Sequence, residues 1–328
     1  MKEHGPISWG SLTSTSSRSS PTRLTRKRGI LHPAKRRQPD GADTRPKEGE
    51  SIYDPACGTG GMLIEAIHHV NESGGNVRTL WGKLFGQEKN LTTSAIARMN
   101  LFLHGVEDFQ VVRGDTLRQP AFHTGDNLAK FDCVIANPPF SLEKWGEDVW
   151  ASDPYGRNFA GMPPAKSGDF AWVQHMLKSM APKSGRMAVV LPHGALFRMG
   201  AEGKIRKKLL NHDSLDAVIG LGPNLFYGTG LAACILVFRD KKPVKHRKKV
   251  LIIDASSEFK KGRAQNELLP EHVDRIFELY KAHQDIDGLA RLVTLDEIRR
   301  TTGISTFRVT WNRCWKRRRL PLRRRSRI

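Results

Sequence analysis

One stretch, SIYDPACGTGGMLIEA at residues 51–66, constrains the fold of this chain more than any other. Residues 51–53 predict the end of a buried strand, and the Asp-Pro pair stops it, because proline cannot donate to a neighbouring strand. Gly58, Gly60 and Gly61 allow a tight turn, since glycine tolerates positive φ and lets a ligand approach the main chain. A helical stripe of apolar residues follows: Met62, Leu63, Ala66, Ile67 and Val70. Strand, glycine turn and helix together are typical of nucleotide-type sites.

The turn by itself leaves two interpretations open. It lacks the glycine spacing of dinucleotide sites and the Lys-Ser/Thr pair of phosphate loops, so it does not predict a pyrophosphate ligand. It could also be a purely structural link between a strand and a helix. The sequence FDCVIANPPF at residues 131–140 narrows the choice, because an apolar strand there carries Asn-Pro-Pro-Phe at its end. Ligands of open α/β sheets bind at the carboxyl ends of strands, so we expect both motifs to face one crevice.

Several motifs follow one another in a family-like order: DPACGTGGMLIEA, GQEKN, GDTL and IANPPF. On these motifs the chain from about residue 49 to 298 resembles the modification (methyltransferase) subunit of type I restriction–modification systems. The resemblance implies an S-adenosylmethionine-dependent DNA adenine methyltransferase of the cytoplasm. Its expected fold is α/β and Rossmann-like, with a mostly parallel seven-stranded sheet and helices on both faces. We expect a catalytic domain at residues 48–240 and a C-terminal strand and helical region at residues 241–298.

The resemblance also implies roles for single residues. Glu88, which ends a predicted second strand, would accept hydrogen bonds from the ribose hydroxyls of S-adenosylmethionine, although a merely solvated glutamate fits the sequence as well. Asp115 would accept a hydrogen bond from the amino group of the cofactor's adenine. The full set expected to bind the cofactor is Asp54, Ala56, Cys57, Gly58, Thr59, Gly60, Gly61, Glu88, Asp115 and Thr116.

The expected catalytic residues are Asn137, Pro138, Pro139 and Phe140. The amine of adenine is a poor nucleophile, because its lone pair is delocalised into the ring. In the resemblance, the side-chain oxygen of Asn137 and the carbonyl oxygen of Pro138 accept the two amino hydrogens and so localise that pair. Phe140 stacks on the base, which must leave the duplex to reach the pocket, and Pro139 stiffens the loop. This site is expected to hold no metal ion.

The implied partners are double-stranded DNA with a flipped adenine, a DNA specificity subunit and a restriction subunit. Methylation of a cytosine ring carbon would need a cysteine nucleophile in a Pro-Cys pair, which this sequence lacks. Three alternatives remain open. They are a protein-glutamine or RNA methyltransferase of the same fold, a basic nucleic-acid-binding protein without enzymatic activity, and an inactive fragment.

The pattern after the second strand predicts a helix. Asn90 is its candidate N-cap, and Ile96, Met99 and Leu103 form an apolar stripe that we expect to lie in the core. These side chains fit a core position better than contacts with a cofactor. The helix should therefore pack this stripe against the sheet.

Residues 141–166 are rich in Gly, Pro and Trp and show little periodicity, at a length that is uncommon for an inert loop. Two interpretations remain open: the segment folds over the substrate base, or its aromatic residues build a small satellite core. The aromatic residues in question are Trp145, Trp150, Tyr155 and Phe159. Either Ser167 or Asp169 is expected to cap the helix that follows.

The net charge of +21 is concentrated at the two ends of the chain. Residues 1–47 hold 11 Lys and Arg against 3 Asp and Glu, and residues 299–328 hold 12 against none, so the middle is nearly neutral. Both ends lack apolar periodicity, which predicts disordered basic tails. No apolar run approaches the roughly 20 residues of a membrane span, and no secretory signal is evident. The scattered cysteines predict buried thiols in a reducing cytoplasm: Cys57, Cys133, Cys234 and Cys314.

A shifted reading frame would explain both tails. Permitted codons for residues 29–45 can be chosen so that another frame reads Gly-Phe-Tyr-Thr-Pro-Arg, a segment of the resembled family that is missing here. Residues 11–23 likewise allow a helix-like sequence, and residues 301–319 allow Asn-Leu-Asn-Ile-Pro-Arg-Tyr-Val, which resembles the family's continuation. We predict that the coding DNA uses these codons. Its nucleotide sequence across codons 10–48 and 299–328 checks this, and different codons would establish the tails as genuine basic arms.

Overall fold

The computed structural model describes residues 45–226 and 229–300. The predicted basic tails lie outside the described residues, apart from residues 45–47 and 299–300, and so do the re-read segments and Cys314. In chain order the strands are β1 (Ile52–Asp54), β2 (Leu84–Glu88), β3 (Gln110–Arg113), β4 (His123–Thr124), β5 (Asn127–Leu128), β6 (Cys133–Ala136), β7 (Arg186–Pro192), β8 (Leu215–Leu221), β9 (Ala233–Arg239), β10 (Lys249–Ala255) and β11 (Ala290–Thr294). The helices are α1 (Gly61–Glu72), α2 (Leu91–Leu103), α3 (Glu147–Trp150), α4 (Asp169–Lys178), α5 (Ala201–Asn211), α6 (Pro270–Ala282) and α7 (Leu295–Arg300).

Nine of these strands form one sheet in the order β11-β10-β8-β9-β7-β6-β1-β2-β3, and β4 and β5 form a separate hairpin. Seven strands of the sheet run parallel to one another, whereas β9 and β11 run antiparallel to their neighbours. The predicted α/β fold with a mostly parallel sheet is confirmed, but the expected seven strands were too few. β10 pairs with β8 and carries the sheet beyond residue 240. β11 is short and only partly buried, so its sequence carries little strand signal.

Helices cover both faces of the sheet. Residues of α1, α2 and α6 pack into one hydrophobic cluster, and residues of α4 and α5 pack into another on the opposite face. β8 and β9 are buried at every position, as is typical of strands covered on both sides. Cys57, Cys133 and Cys234 are buried, as the sequence predicted. Within the described ranges, no helix has the length and apolar character that a membrane span requires.

Helix α1 has the predicted orientation and helix α2 does not. The apolar stripe after the glycine turn is buried along α1, and the side-chain oxygen of Asn90 caps α2 by accepting from the Thr93 N–H at 3.0 Å. The structure contradicts the predicted core stripe of α2, since all three of its members are exposed: Ile96 by 41%, Met99 by 58% and Leu103 by 70%. Ala97 and Leu101 face the sheet instead.

Close packing explains the orientation of α2. A Cβ built on Gly60 would lie 3.5 Å from the Cβ of Ala97, so this helix runs close against the glycine turn. Only a small side chain fits between the two backbones at that distance. Ala97 therefore faces inward, and the bulkier apolar residues on the other side of α2 are left at the surface.

The tryptophans of residues 141–166 form a satellite core. Trp145 and Trp150 are fully buried, with ring centroids 5.0 Å apart in an edge-to-face arrangement. They share a third hydrophobic cluster with Leu117, Ala171 and Trp172. For these two residues the structure supports the second of the two interpretations. The other two aromatic residues of the segment, Tyr155 and Phe159, are half-buried outside this cluster.

Asp216, His246 and His283 form a buried group whose potential metal-ligand atoms lie within 4.8 Å of one another. The carboxylate of Asp216 already accepts from Nε of Arg239 at 3.1 Å and from the hydroxyl of Tyr280 at 2.7 Å. The two imidazoles are stacked, with centroids 3.3 Å apart and ring planes 3° apart. An imidazole lone pair lies in its ring plane, so both stacked rings cannot bind one ion. Through its bonds to Arg239 and Tyr280, Asp216 instead links β8 to β9 and to α6.

The orientation of α2 can be tested with two leucines of the same helix. Leu101→Ala should lower the free energy of unfolding by about 2–5 kcal/mol, because it opens a cavity beside the sheet. Leu103→Ala should change that free energy by less than about 0.5 kcal/mol, because this side chain is mostly in solvent. Urea denaturation of both variants measures the difference. Equal effects would contradict the orientation described here.

Candidate active site

Four neighbouring parallel strands bring the predicted site residues to one edge of the sheet. β6, β1, β2 and β3 are adjacent, and their registers align them without a break. Parallel strands end at the same edge, so the glycine turn after β1, the acid that ends β2, the turn after β3 and the Asn-Pro-Pro-Phe segment after β6 meet there. The expectation that the two main motifs face one crevice agrees with this topology.

The glycine turn runs across the end of β2. The N–H of Gly58 donates to Oε2 of Glu88 at 3.1 Å, and the N–H of Cys57 donates to the carbonyl oxygen of Gln87 at 3.0 Å. Gly58 and Gly60 have φ values of 54° and 83°, a region that residues with a Cβ rarely adopt. α1 begins directly after the turn, so the positive end of its dipole and its free N–H groups face this edge.

Asp54 is a buried carboxyl group at the end of β1. It is 1% exposed, and its Oδ1 accepts from the N–H of Ala56 at 3.0 Å. Burial, together with the nearby charge of Glu88, raises the pKa of Asp54 to about 8. The carboxyl group is therefore mainly protonated at pH 7. A cation bound beside Asp54 would offset the cost of burying a negative charge and so favour the carboxylate form.

The two other predicted acids are more open. Both oxygens of Glu88 accept backbone hydrogen bonds, one from Gly58 at 3.1 Å and one from Asn90 at 2.8 Å. The carboxylate of Asp115 lies 2.8 Å from Nζ of Lys89, and its side chain is 23% exposed. The two acids thus end adjacent strands with part of each side chain accessible, as a polar ligand along this edge would require.

Some predicted cofactor residues have side chains that serve the local fold. The hydroxyl of Thr116 donates to the carbonyl oxygen of Pro55 at 2.6 Å and is buried. The carbonyl oxygen of Thr59 accepts from the amide of Asn100 at 2.9 Å. Burial raises the pKa of the Cys57 thiol, which keeps it protonated. Ala56 packs against the tryptophan cluster. The buried side chains of Cys57 and Thr116 are therefore committed to the local fold and are not accessible to a ligand at this edge.

The Asn-Pro-Pro-Phe segment leaves the sheet at the end of β6. Pro138 is buried, Pro139 is exposed, and Asn137 and Phe140 are half-buried. The ring of Phe140 packs edge-to-face on Phe226 with centroids 5.8 Å apart. This contact fixes one edge of the Phe140 ring and leaves part of it accessible.

Sequence reasoning missed two buried charged groups near this edge of the sheet. Arg157 is 1% exposed, donates to Asp153 and to the carbonyl oxygen of Thr116 at 3.0 Å, and lies over the ring of Trp150. It anchors the tryptophan segment to the turn after β3. A lone arginine in a Gly-rich stretch carries no periodic signal, so only the fold identifies it.

The second missed group includes Asp169 and Arg198. Contrary to the sequence expectation, neither Ser167 nor Asp169 is the N-cap of α4, which is Gly168 without a side-chain cap. The hydroxyl of Ser167 donates to Glu202, and the carboxylate of Asp169 accepts from the N–H of Ser141. These longer-range bonds satisfy the two side chains, so they do not bind the end of their own helix.

The arrangement combines a turn with accessible main chain, three carboxyl groups and a rigid amide-bearing segment on one edge. The amide of Asn137 and the carbonyl group of Pro138 are neutral hydrogen-bonding groups that suit an amine or amide substrate. The buried Cys57 thiol is a poor nucleophile. These groups therefore suit the direct transfer of a chemical group from one bound ligand to another. They do not suit a reaction in which that group is first bonded to Cys57.

The sequence matches a known protein family and resembles several known proteins. Residues 42–306 match the family described as N-6 DNA Methylase. The chain is 38% identical over 266 residues to the type I restriction enzyme MjaVII methylase subunit of Methanocaldococcus jannaschii, which covers 77% of this chain and 44% of that protein. It is 31% identical over 264 residues to the HindI methylase subunit of Haemophilus influenzae. This match covers 78% of this chain and 57% of that protein.

A solved structure is also similar. The type I restriction-modification methyltransferase subunit from Streptococcus thermophilus matches with a TM-score of 0.70 and 34% identity, covering 79% of this chain and 53% of that one. The chain thus spans about half the length of the relatives it matches. The likeness confirms the fold class expected from the sequence.

The bond between Thr116 and Pro55 can be tested by a change that keeps the side chain's shape. Thr116→Val should lower the free energy of unfolding by about 1–3 kcal/mol, because it leaves a buried carbonyl group unpaired. Thr92→Val, at an exposed position of α2, should change it by less than about 0.5 kcal/mol. Chemical denaturation measures both. Equal stability of the two variants would show that the bond does not hold the turn after β3.

Proposed function

The chain belongs to the N-6 DNA methylase family, and on this premise we propose that it transfers a methyl group from S-adenosylmethionine to the exocyclic amine of adenine in DNA. One observation carries the proposal: the Asn-Pro-Pro-Phe segment and the glycine turn end neighbouring parallel strands, β6 and β1. A methyl donor at the turn and an amine at Asn137 would then share one crevice. We further propose that the chain works in a type I restriction–modification complex, as the names of its relatives suggest.

The residues present suit S-adenosylmethionine. The cofactor is cationic, and Asp54 is a buried carboxyl group that a positive charge would ionise. Glu88 would accept the ribose hydroxyls, as acids at this position do in related folds. Asp115 would accept from the amino group of the cofactor's adenine. When bound, the cofactor supplies an electrophilic methyl group on its sulfonium.

The chain's own residues would prepare the amine. The side-chain oxygen of Asn137 and the carbonyl oxygen of Pro138 would accept its two hydrogens and localise its lone pair towards the methyl group. Phe140 would stack on the base with the accessible part of its ring. The packing of Phe140 against Phe226 and the ring of Pro139 limit the motion of the segment. Holding both reactants in line would supply much of the acceleration.

Adenine in a duplex is inaccessible, so the proposal requires double-stranded DNA from which the base is flipped out. We propose a DNA specificity subunit and a restriction subunit as partners. Cys57 and Cys234 are buried cysteines outside any disulfide, which fits a reducing cytoplasm as the compartment. A protein-glutamine or RNA methyltransferase remains the alternative in the same fold, and it would methylate a free amide or an RNA base in place of DNA.

The role of Asn137 predicts a kinetic effect without a binding effect. Asn137→Ala should slow methyl transfer on the order of 100-fold, because it removes an acceptor that acts in the transition state. S-adenosylmethionine affinity should stay within about twofold, since in this proposal the cofactor binds at the glycine turn after the neighbouring strand β1. Single-turnover transfer to duplex DNA, with a type I specificity subunit present, and calorimetry measure the two quantities. An equal loss of cofactor affinity would contradict the assignment.

The raised pKa of Asp54 predicts that cofactor affinity depends on pH. The free carboxyl group has a pKa of about 8, and a bound cation would lower it, so binding releases a proton. Affinity should therefore rise as pH increases towards 8, by at most about tenfold per pH unit, and then level off. The side chain of Asp54→Asn cannot titrate, so the affinity of this variant should not rise with pH in the same way. Any effect of titrating S-adenosylmethionine itself is common to both proteins and cancels in the comparison. Identical calorimetric pH profiles would contradict the prediction.

A further inference from the structure

Ser141, the residue directly after the Asn-Pro-Pro-Phe segment, has an unusual backbone conformation. Its φ is 49°, in the left-handed region that residues with a Cβ rarely adopt. Such a conformation persists only where its surroundings hold it, and it is often found beside functional sites. The direction in which residues 137–140 leave the sheet depends on this residue.

Two side chains bind the N–H and the hydroxyl of Ser141. Oδ1 of Asp169 accepts from its N–H at 2.8 Å, and Nη2 of Arg198 donates to its hydroxyl at 3.1 Å. Asp169 and Arg198 also bind each other, with Nη1 2.9 Å from Oδ2. The three residues form a closed ring of hydrogen bonds, which we call the Ser141 clamp.

The clamp joins three segments at the crevice edge. Ser141 follows β6, Asp169 is the first residue of α4, and Arg198 follows β7. Asp169 is fully buried, where a lone charge is costly unless it is paired. The guanidinium of Arg198, 2.9 Å away, is the partner that the buried carboxylate requires. Glu202 lies 2.9 Å from the same Nη1 and raises the pKa of Arg198 together with Asp169.

We propose that Asp169 and Arg198 are positioning residues of the transfer reaction. Through Ser141 they set the backbone of residues 137–140, and so the direction in which Asn137 and Pro138 present their oxygens. The proposal rests on the proposed function of Asn137. A clamp needed only for folding would stabilise the protein without affecting the rate of transfer at a given cofactor affinity.

Two variants of Asp169 separate the contributions of its bonds to Ser141 and to Arg198. Asp169→Asn keeps an oxygen that can accept from the N–H of Ser141 but weakens the bond to Arg198, and Asp169→Ala removes both bonds. Asp132→Asn is the matched control: Oδ2 of Asp132 accepts from the N–H of Ser51 at 3.1 Å, at the amino-terminal ends of β1 and β6. Full-length variants are tested with a type I specificity subunit and duplex DNA.

We expect Asp169→Ala to slow single-turnover methyl transfer by about 10- to 100-fold, the size of effect that a small misplacement of reactive groups causes. Asp169→Asn should lose less, and Asp132→Asn should transfer at the wild-type rate. S-adenosylmethionine affinity should stay within about twofold in all three variants, because the clamp lies beside β6 and not at the glycine turn. Independently of activity, hydrogen exchange at the Ser141 amide should accelerate in Asp169→Ala more than in Asp132→Asn.

Asn137→Ala is measured in parallel to separate the two hypotheses. If Asn137→Ala is slow and Asp169→Ala transfers at the wild-type rate, the positioning role is overturned and the proposed function stands. If Asp169→Ala loses cofactor affinity as steeply as transfer, or if the Ser141 amide exchanges at the wild-type rate, the positioning role is overturned as well. If Asn137→Ala transfers normally, the proposed function itself fails.

Discussion

Adjacent parallel strands must end at the same edge of a sheet, and the site depends on this constraint. β6, β1, β2 and β3 are neighbours although β6 is far from the others in sequence. The last residues of these strands and the segments that follow them carry all of the predicted site residues. No long-range contact has to be specified separately for the glycine turn, the acids and the Asn-Pro-Pro-Phe segment to meet, because hydrogen bonding within the sheet already brings them together.

The sequence could predict those parts of the fold whose signal is local. The strand, turn and helix at residues 51–66 are predictable because glycines at the turn and an apolar stripe along α1 follow from backbone geometry and burial. The cap of α2 by Asn90 is predictable for the same reason. The orientation of α2 was not, because Ala97 faces inward through its close approach to Gly60, a contact between residues far apart in the chain. A pattern of large apolar residues contains no information about that distance.

Buried charges were the least predictable part of the site. Asp169 reads locally as a helix cap, yet its carboxylate bonds to Ser141 and Arg198. Arg157 lies in a stretch without periodicity that gives no sign of its burial, yet it is buried between Asp153 and the carbonyl oxygen of Thr116. A buried charge is stable only with partners, and those partners come from other loops, so its role becomes visible only after the loops are placed.

These buried groups also differ in what they hold. Arg157 joins the tryptophan segment to the turn after β3, on the side of the crevice where a cofactor would lie. Asp169 and Arg198 hold the segment after β6, where the amine would lie. The two halves of the crevice are therefore fixed by separate hydrogen-bond networks on opposite sides of β1. Because the networks share no side chain, a change in one should disturb one ligand's place more than the other's. Such independence would let mutations separate the binding of one ligand from the placement of the other.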